Sequence, residues 1–197
     1  MAAKTLSAIR ETVRQFLRDE FVEGSDYEFE DDEIDLHIAE ILTEISERRP
    51  YEVRETKVSD GTKEVDISSI TDLLEVEKAE YPTGNDPPCY RNVSVFGNTL
   101  RLDIDSDPTS GDNIYLYCHK VHQLTESSST LSPDLERTLI EGAVSKTALA
   151  FLNKMRNQVV PSTYQWYQNW ANNQLLLYRN SLGSITRPKV WEFYSRY

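Results

Sequence analysis

Ile45-Ser46-Glu47-Arg48-Arg49-Pro50-Tyr51-Glu52-Val53-Arg54-Glu55-Thr56-Lys57-Val58, residues 45–58, holds the change of period on which the fold class turns. Upstream of it Ile34, Ile38, Ile41, Leu42 and Ile45 recur at helical spacing, which lays them along one face of a helix. Pro50 stops that helix, because it has no N–H to donate and its ring collides with the preceding turn. Downstream, Val53 to Val58, the turn signal Asp60-Gly61 and the run Glu64 to Ile67 read as a β-hairpin.

Towards the start of the chain, Thr5 is placed to cap a helix whose stripe is Leu6, Ile9, Val13, Phe16 and Leu17, with Gly24 positioned to end it. The acidic run Glu28 to Glu33 supplies capping and first-turn negative charge to the second helix. In the other direction, Ser68-Ser69 is placed to cap a short helical turn through Leu74. Glu75 to Tyr81, Asn92 to Phe96, Thr99 to Ile104 and Asn113 to Lys120 follow as strands, separated by Pro- and Gly-rich turns. After the Ser-rich stretch Glu126 to Thr130, Ser132-Pro133 offers an N-cap and an N1 proline to a long helix running to about Met155. Pro161-Ser162 restarts the pattern for a last helix, Thr163 to about Tyr178, and Ile185 to Tyr197 has no obvious period. The expectation is an α+β protein: an α-helical bundle with an inserted small antiparallel β module and an extended C-terminal tail. Its divisions fall at 1–50, 51–125, 126–182 and 183–197.

A chain of 197 residues buries roughly 70% of its unfolded surface and needs no covalent staples. Cys89 and Cys118 are therefore expected as free thiols in a protein made in the cytoplasm. No apolar run reaches the length of a membrane span, and no basic and apolar leader opens the chain. The net charge of −12 argues against wrapping nucleic acid. Its distribution is uneven: no Asp or Glu lies between Gly142 and Trp191, which suggests two surfaces with different partners unless it is simple clustering on a solvated helix.

The chemistry-bearing residues favour bland readings. Cys118, His119 and His122 lack a fourth ligand, and on a continuous strand Cys118 and His122 would face one way and His119 the other, so no metal is expected. Asp103, Asp105 and Asp107 begin like a calcium loop, but Pro108 stands at the sixth position and Ile114 at the twelfth, where Gly and Glu are needed. Gly-rich phosphate loops, nucleophile elbows and dinucleotide fingerprints are missing, so neither a catalytic residue nor a cofactor is expected. A small enzyme would have to rely on an Asp or Glu pair in the β module.

The strongest anomaly is aromatic. Tyr164, Trp166, Tyr167, Trp170, Leu175, Leu177 and Tyr178 occupy more than one face of a short helix. Aromatic residues are enriched at interface cores, so a subunit interface through Tyr164, Trp166, Tyr167, Trp170 and Tyr178 stands beside ordinary core packing. Arg187, Pro188, Lys189, Val190, Trp191, Phe193, Tyr194, Arg196 and Tyr197 combine basic and aromatic character in a terminal segment suited to docking in another protein's groove.

The stretch Asp32-Glu33-Ile34-Asp35-Leu36-His37-Ile38-Ala39-Glu40-Ile41-Leu42-Thr43-Glu44-Ile45 resembles the second helix of the head-to-tail connector, or adaptor, proteins of tailed bacteriophages. Ile70-Thr71-Asp72-Leu73-Leu74-Glu75-Val76-Glu77-Lys78-Ala79-Glu80-Tyr81-Pro82 is similar to their turn feeding a strand that ends in Tyr-Pro. Leu100-Arg101-Leu102-Asp103 and Ile114-Tyr115-Leu116-Tyr117-Cys118-His119-Lys120 then resemble two strands of the same module. Leu131-Ser132-Pro133-Asp134-Leu135-Glu136 leads similarly into Leu139-Ile140-Glu141-Gly142-Ala143. The likeness covers about residues 32 to 150 and rests on order and spacing. It implies a ring, typically of twelve copies, in the virion neck between the portal protein and tail or neck proteins such as a stopper or tail terminator. DNA would leave through its lumen at genome ejection without sequence-specific binding. The C-terminal segment would anchor to the portal, and an acidic lumen would repel passing DNA. The alternative is a soluble interaction module unrelated to phage, using the aromatic helix and tail.

Overall fold

The computed structural model describes residues 4–18, 29–155 and 160–185. The protein is α+β, with the element order α1 Leu6–Leu17, α2 Asp31–Arg48, β1 Tyr51–Val58, β2 Glu64–Asp66, β3 Leu73–Glu80, β4 Tyr90–Arg91, β5 Val93–Phe96, β6 Thr99–Leu102, β7 Asn113–Lys120, α3 Pro133–Met155 and α4 Pro161–Ser184. Pro50–Val121 forms one compact unit, and the chain on either side of it forms the other.

In the helical unit Thr5 caps α1, its hydroxyl accepting the Ala8 N–H. The helix stops at Leu17, where Arg18 takes a left-handed conformation and its N–H reaches the carbonyls of Arg14 and Gln15; Gly24, expected to end it, lies outside the described residues. Glu30 stands at the N-cap of α2 without a side-chain capping bond, so Asp31, Asp32 and Glu33 in the first turn supply the stabilising charge. Those acids also have a role that periodicity does not reveal. Arg14, buried, donates to the Phe29 carbonyl at 2.7 Å and to Asp31, while Arg10 forks onto Asp35 at 2.9 and 2.7 Å, fastening α1 to the start of α2.

Ile34, Ile38, Ile41 and Ile45 of α2 are all buried, together with Leu135, Leu139, Ala143, Val144 and Ala148 of α3. Each large aliphatic side chain so placed contributes roughly 1.5–3 kcal/mol over its exposed state. The final helix is longer than the sequence suggests. It starts at Pro161, the proline itself taking the first turn where its missing N–H costs nothing, and it continues past Tyr178 to Ser184.

The β unit contains two sheets, ordered β1-β7-β3-β4 and β2-β6-β5. Val65, Ile67, Val76, Ala79, Leu100, Leu102, Ile114, Leu116 and Cys118 form its core. The expected hairpin around Asp60-Gly61 does not form. The turn is there, with Gly61 at φ +96° and the Thr62 N–H on the Asp60 carboxylate, but it passes the chain from one sheet to the other. β1 pairs along its whole length with β7, Tyr51 opposite Lys120 and Val58 opposite Asn113, a longer ladder than the three residues of β2 offer. Ser68-Ser69 caps no helix either. The Ser68 N–H and hydroxyl bind the Asp66 carboxylate, closing a local turn, and β3 begins at Leu73.

Candidate docking surface on the helical unit

α4 is laid against α3 by its inner face, where Ala171 and Tyr178 are buried and Tyr164, Tyr167, Trp170, Leu175 and Leu182 pack partly buried on the core. Tyr167 anchors an aromatic run, with ring centroids 6.2 Å from Phe151, 5.8 Å from Trp166 and 5.5 Å from Trp170. Close approach depends on Gly142 of α3: a Cβ there would lie 2.8 and 2.9 Å from Ile41 of α2 and 2.9 Å from the Tyr178 ring. Only a residue without a side chain lets the three helices meet at that level.

Around Tyr178 the packing carries a polar network. Its hydroxyl donates to Glu44 Oε2, Lys146 Nζ binds Glu44 Oε1 at 2.7 Å, and Lys146 also reaches Glu40 Oε2 at 3.2 Å. Burial penalises the Glu44 carboxylate, but the bonds from Lys146 and Tyr178 outweigh it and hold its pKa below the usual value. Burial, and then the Glu44 carboxylate, push the Tyr178 phenol far up. Lys146 is raised by Glu44 and Glu40 against the opposing effect of its burial. This network joins α2, α3 and α4 and leaves Tyr178 committed to the core of its own chain.

The outer side of α4 differs. Trp166 is 62% exposed and Leu177 51%. Eleven residues separate them, three helical turns, so they share one stripe with the half-buried Trp170 and with Asn173. Arg179 is the sole charged side chain among the 24 residues of the helix. Exposed indole and leucine among neutral amides form a surface that water wets poorly and another protein covers well. Of the residues singled out by aromatic content, Trp166 stands on this outer side with Trp170 at its border, while Tyr164, Tyr167 and Tyr178 pack on the core. The residues Arg187, Pro188, Lys189, Val190, Trp191, Phe193, Tyr194, Arg196 and Tyr197 lie outside the described residues.

The candidate chemistry is scattered. Cys118 is in the β core, its thiol pushed up to about 11 by burial. His119, on the other face of β7, lies 3.6 Å from Glu75 and 3.7 Å from Glu77. His122 shares no strand face with Cys118, because β7 ends at Lys120 and His122 belongs to the helical unit. There its Nε2 donates to the Arg49 carbonyl, leaving Nδ1 to accept from Thr130, and burial lowers its pKa. Among the described residues no group of three His, Cys, Asp or Glu side chains converges as a metal site, and no helix is long and apolar enough to cross a membrane.

No protein-family model matches the chain, and no curated protein does. Among solved structures, a chain from the neck of an empty GTA particle, computed with C6 symmetry, is similar at a TM-score of 0.32 and 13% identity. The match covers 73% of this chain and 80% of that one. A similarity of that size transfers neither fold nor function.

Proposed function

We propose that this chain is a structural subunit of the neck of a tailed phage or phage-like particle, an adaptor that forms a ring between portal and tail, with DNA passing through its lumen. The observation that carries the reading is the outer stripe of α4, where Trp166 and Leu177 stand exposed on a helix with no acidic residue. A monomer gains nothing from leaving an indole in water, whereas a heterologous contact repeated around a ring covers it in every copy. The order of elements in the sequence, which resembles the connector proteins, gives the contact its setting. The ring would hold about twelve copies, as the resemblance implies. The basic aromatic segment Arg187 to Tyr197 would anchor it to the portal protein, with a stopper or tail terminator on the opposite side.

In this reading the subunit has no catalytic role and its acids are electrostatic. Fourteen Asp and Glu against seven Lys and Arg in residues 50–121 give a lumen wall built from that unit a charge that repels the phosphate backbone, so DNA slides instead of sticking.

The test is a truncation. Removal of residues 187–197 is expected to abolish binding to purified portal rings while leaving the circular dichroism and thermal unfolding of the subunit unchanged. Portal binding that survives the truncation at full strength would refute the anchoring role.

A further inference from the structure

The β unit has four sheet edges, and they are finished differently. β1 carries Glu52, Arg54, Glu55 and Lys57 along its length, with Glu55 held by Lys120 at 3.0 Å and Lys57 bonded to Ser69. β2 places Glu64 and Asp66 on either side of Val65, and β4 is two residues long. Charged side chains and short strands are the usual devices that keep an edge from pairing with a stranger. β5, four residues long, carries no charge: it reads Val93-Ser94-Val95-Phe96 and forms the outer strand of its sheet.

The backbone of β5 is set up to receive a strand. The Gly97-Asn98 turn joins Phe96 directly to Thr99, so that pair exchanges both hydrogen bonds, and bonded and non-bonded pairs then alternate along the hairpin. The Asp103 N–H on the Asn92 carbonyl at 3.0 Å fixes the same phase at the other end. Val93 and Val95 therefore turn their N–H and C=O groups away from β6, towards the open edge. Facing that edge, β3 is covered by β4 only at Ala79 and Glu80. Between the two lies a groove of about 630 Å³ floored by Ile67 and Ile70 and walled by Leu73, Val76, Val93 and Val95. Val95 is 48% exposed, and Leu74 on the rim 43%.

We infer that β5 and this groove take up an extended strand from a partner protein, which pairs with the Val93 and Val95 backbone and sets alternate β-branched side chains into the groove, with Lys or Arg between them. The charge selects the partner. Asp72 and Glu75 line the groove, and the unit carries twice as many acids as bases. A second copy would bring the same β5 and the same negative charge to its own image, whereas a basic strand is attracted from a distance and held at the rim. This contact stands independently of the ring reading.

The probe is a fluorescein-labelled octapeptide of four Val-Lys repeats, titrated into the full chain and followed by fluorescence anisotropy. Saturable binding is expected, weakened at least tenfold by Val95→Pro, which removes an outward N–H without touching the bonds to β6. Val95→Lys, which places a guarding charge on the edge at a half-exposed position, should weaken it similarly; unchanged thermal unfolding of either variant certifies its fold. Four Ser-Lys repeats carry the same charge without the apolar face and should fail, as should four Val-Glu repeats. Equal binding of the Ser-Lys peptide, or full binding by both Val95 variants, overturns the proposal. So does a concentration-dependent dimer in sedimentation that Val95→Pro abolishes, since that would assign the edge to a second copy.

Discussion

α2 and α4 both pack against α3, yet their outer faces are finished for different surroundings. α2 has seven Asp and Glu in eighteen residues, and many of them are answered within the chain: Glu33 by Lys154, Glu40 and Glu44 by Lys146, Asp31 and Asp35 by Arg10 and Arg14. α4 has one charge in 24 residues and leaves Trp166 and Leu177 uncovered. A helix surface completed by its own chain is a boundary with water. A face left neutral and aromatic is of the kind that other proteins cover, and the proposed subunit contact rests on that difference.

Both helices depend on the point where they meet over Gly142, so the most damaging substitution is Gly142→Leu. A side chain there must displace Ile41 and Tyr178 together, and overpacking of this kind costs about 3 kcal/mol; urea unfolding should show it as a lowered midpoint. Tyr178→Phe keeps the packing but removes the hydroxyl from Glu44, for an expected loss of about 1–2 kcal/mol in the same assay.

The Glu44 network also gives the α2 side a pH signature. Its carboxylate titrates below the ordinary 4.5 in the folded protein, so the stability it contributes is fully present above the unfolded value and is lost as pH falls through the lower folded value. Glu44→Gln should flatten the acid limb of a plot of unfolding midpoint against pH, and an unchanged limb would show that other carboxylates dominate it. The mildest effect on stability belongs to Trp166→Ala. An exposed position of this kind should change unfolding free energy by about 0.5 kcal/mol or less, while abolishing assembly of the subunit in a portal-binding and ring-formation assay. A variant that unfolds early but still assembles would reverse the contrast between the two helices.

What the sequence discloses follows from how local each cause is. The start of α3 can be read from Pro133 and its course from the stripe through Leu152, and β7 from Asn113 to Lys120, because the proline and the periodicity lie within the segment itself. The partner of β1 cannot be read so. The Asp60-Gly61 turn points to β2, but the ladder forms with β7, and only the assembled sheet decides between them. The strand that begins at Leu73 reflects the same competition between a local signal and a tertiary one. Within α4, aromatic content does not sort buried side chains from exposed ones. Tyr178 is drawn inward by Glu44 and by the space above Gly142, both distant in sequence, while Trp166 stays outside. The open edge at β5 carries a sequence signal, a Val-Ser-Val-Phe strand without charge, but its significance depends on knowing that the strand is outermost.

The place of this subunit in a particle can be read from antibody-gold labelling of particles from a lysate, viewed by electron microscopy. Gold confined to the neck, between head and tail, is expected of an adaptor. Accessible necks without label, with the protein recovered free in the lysate, would contradict it.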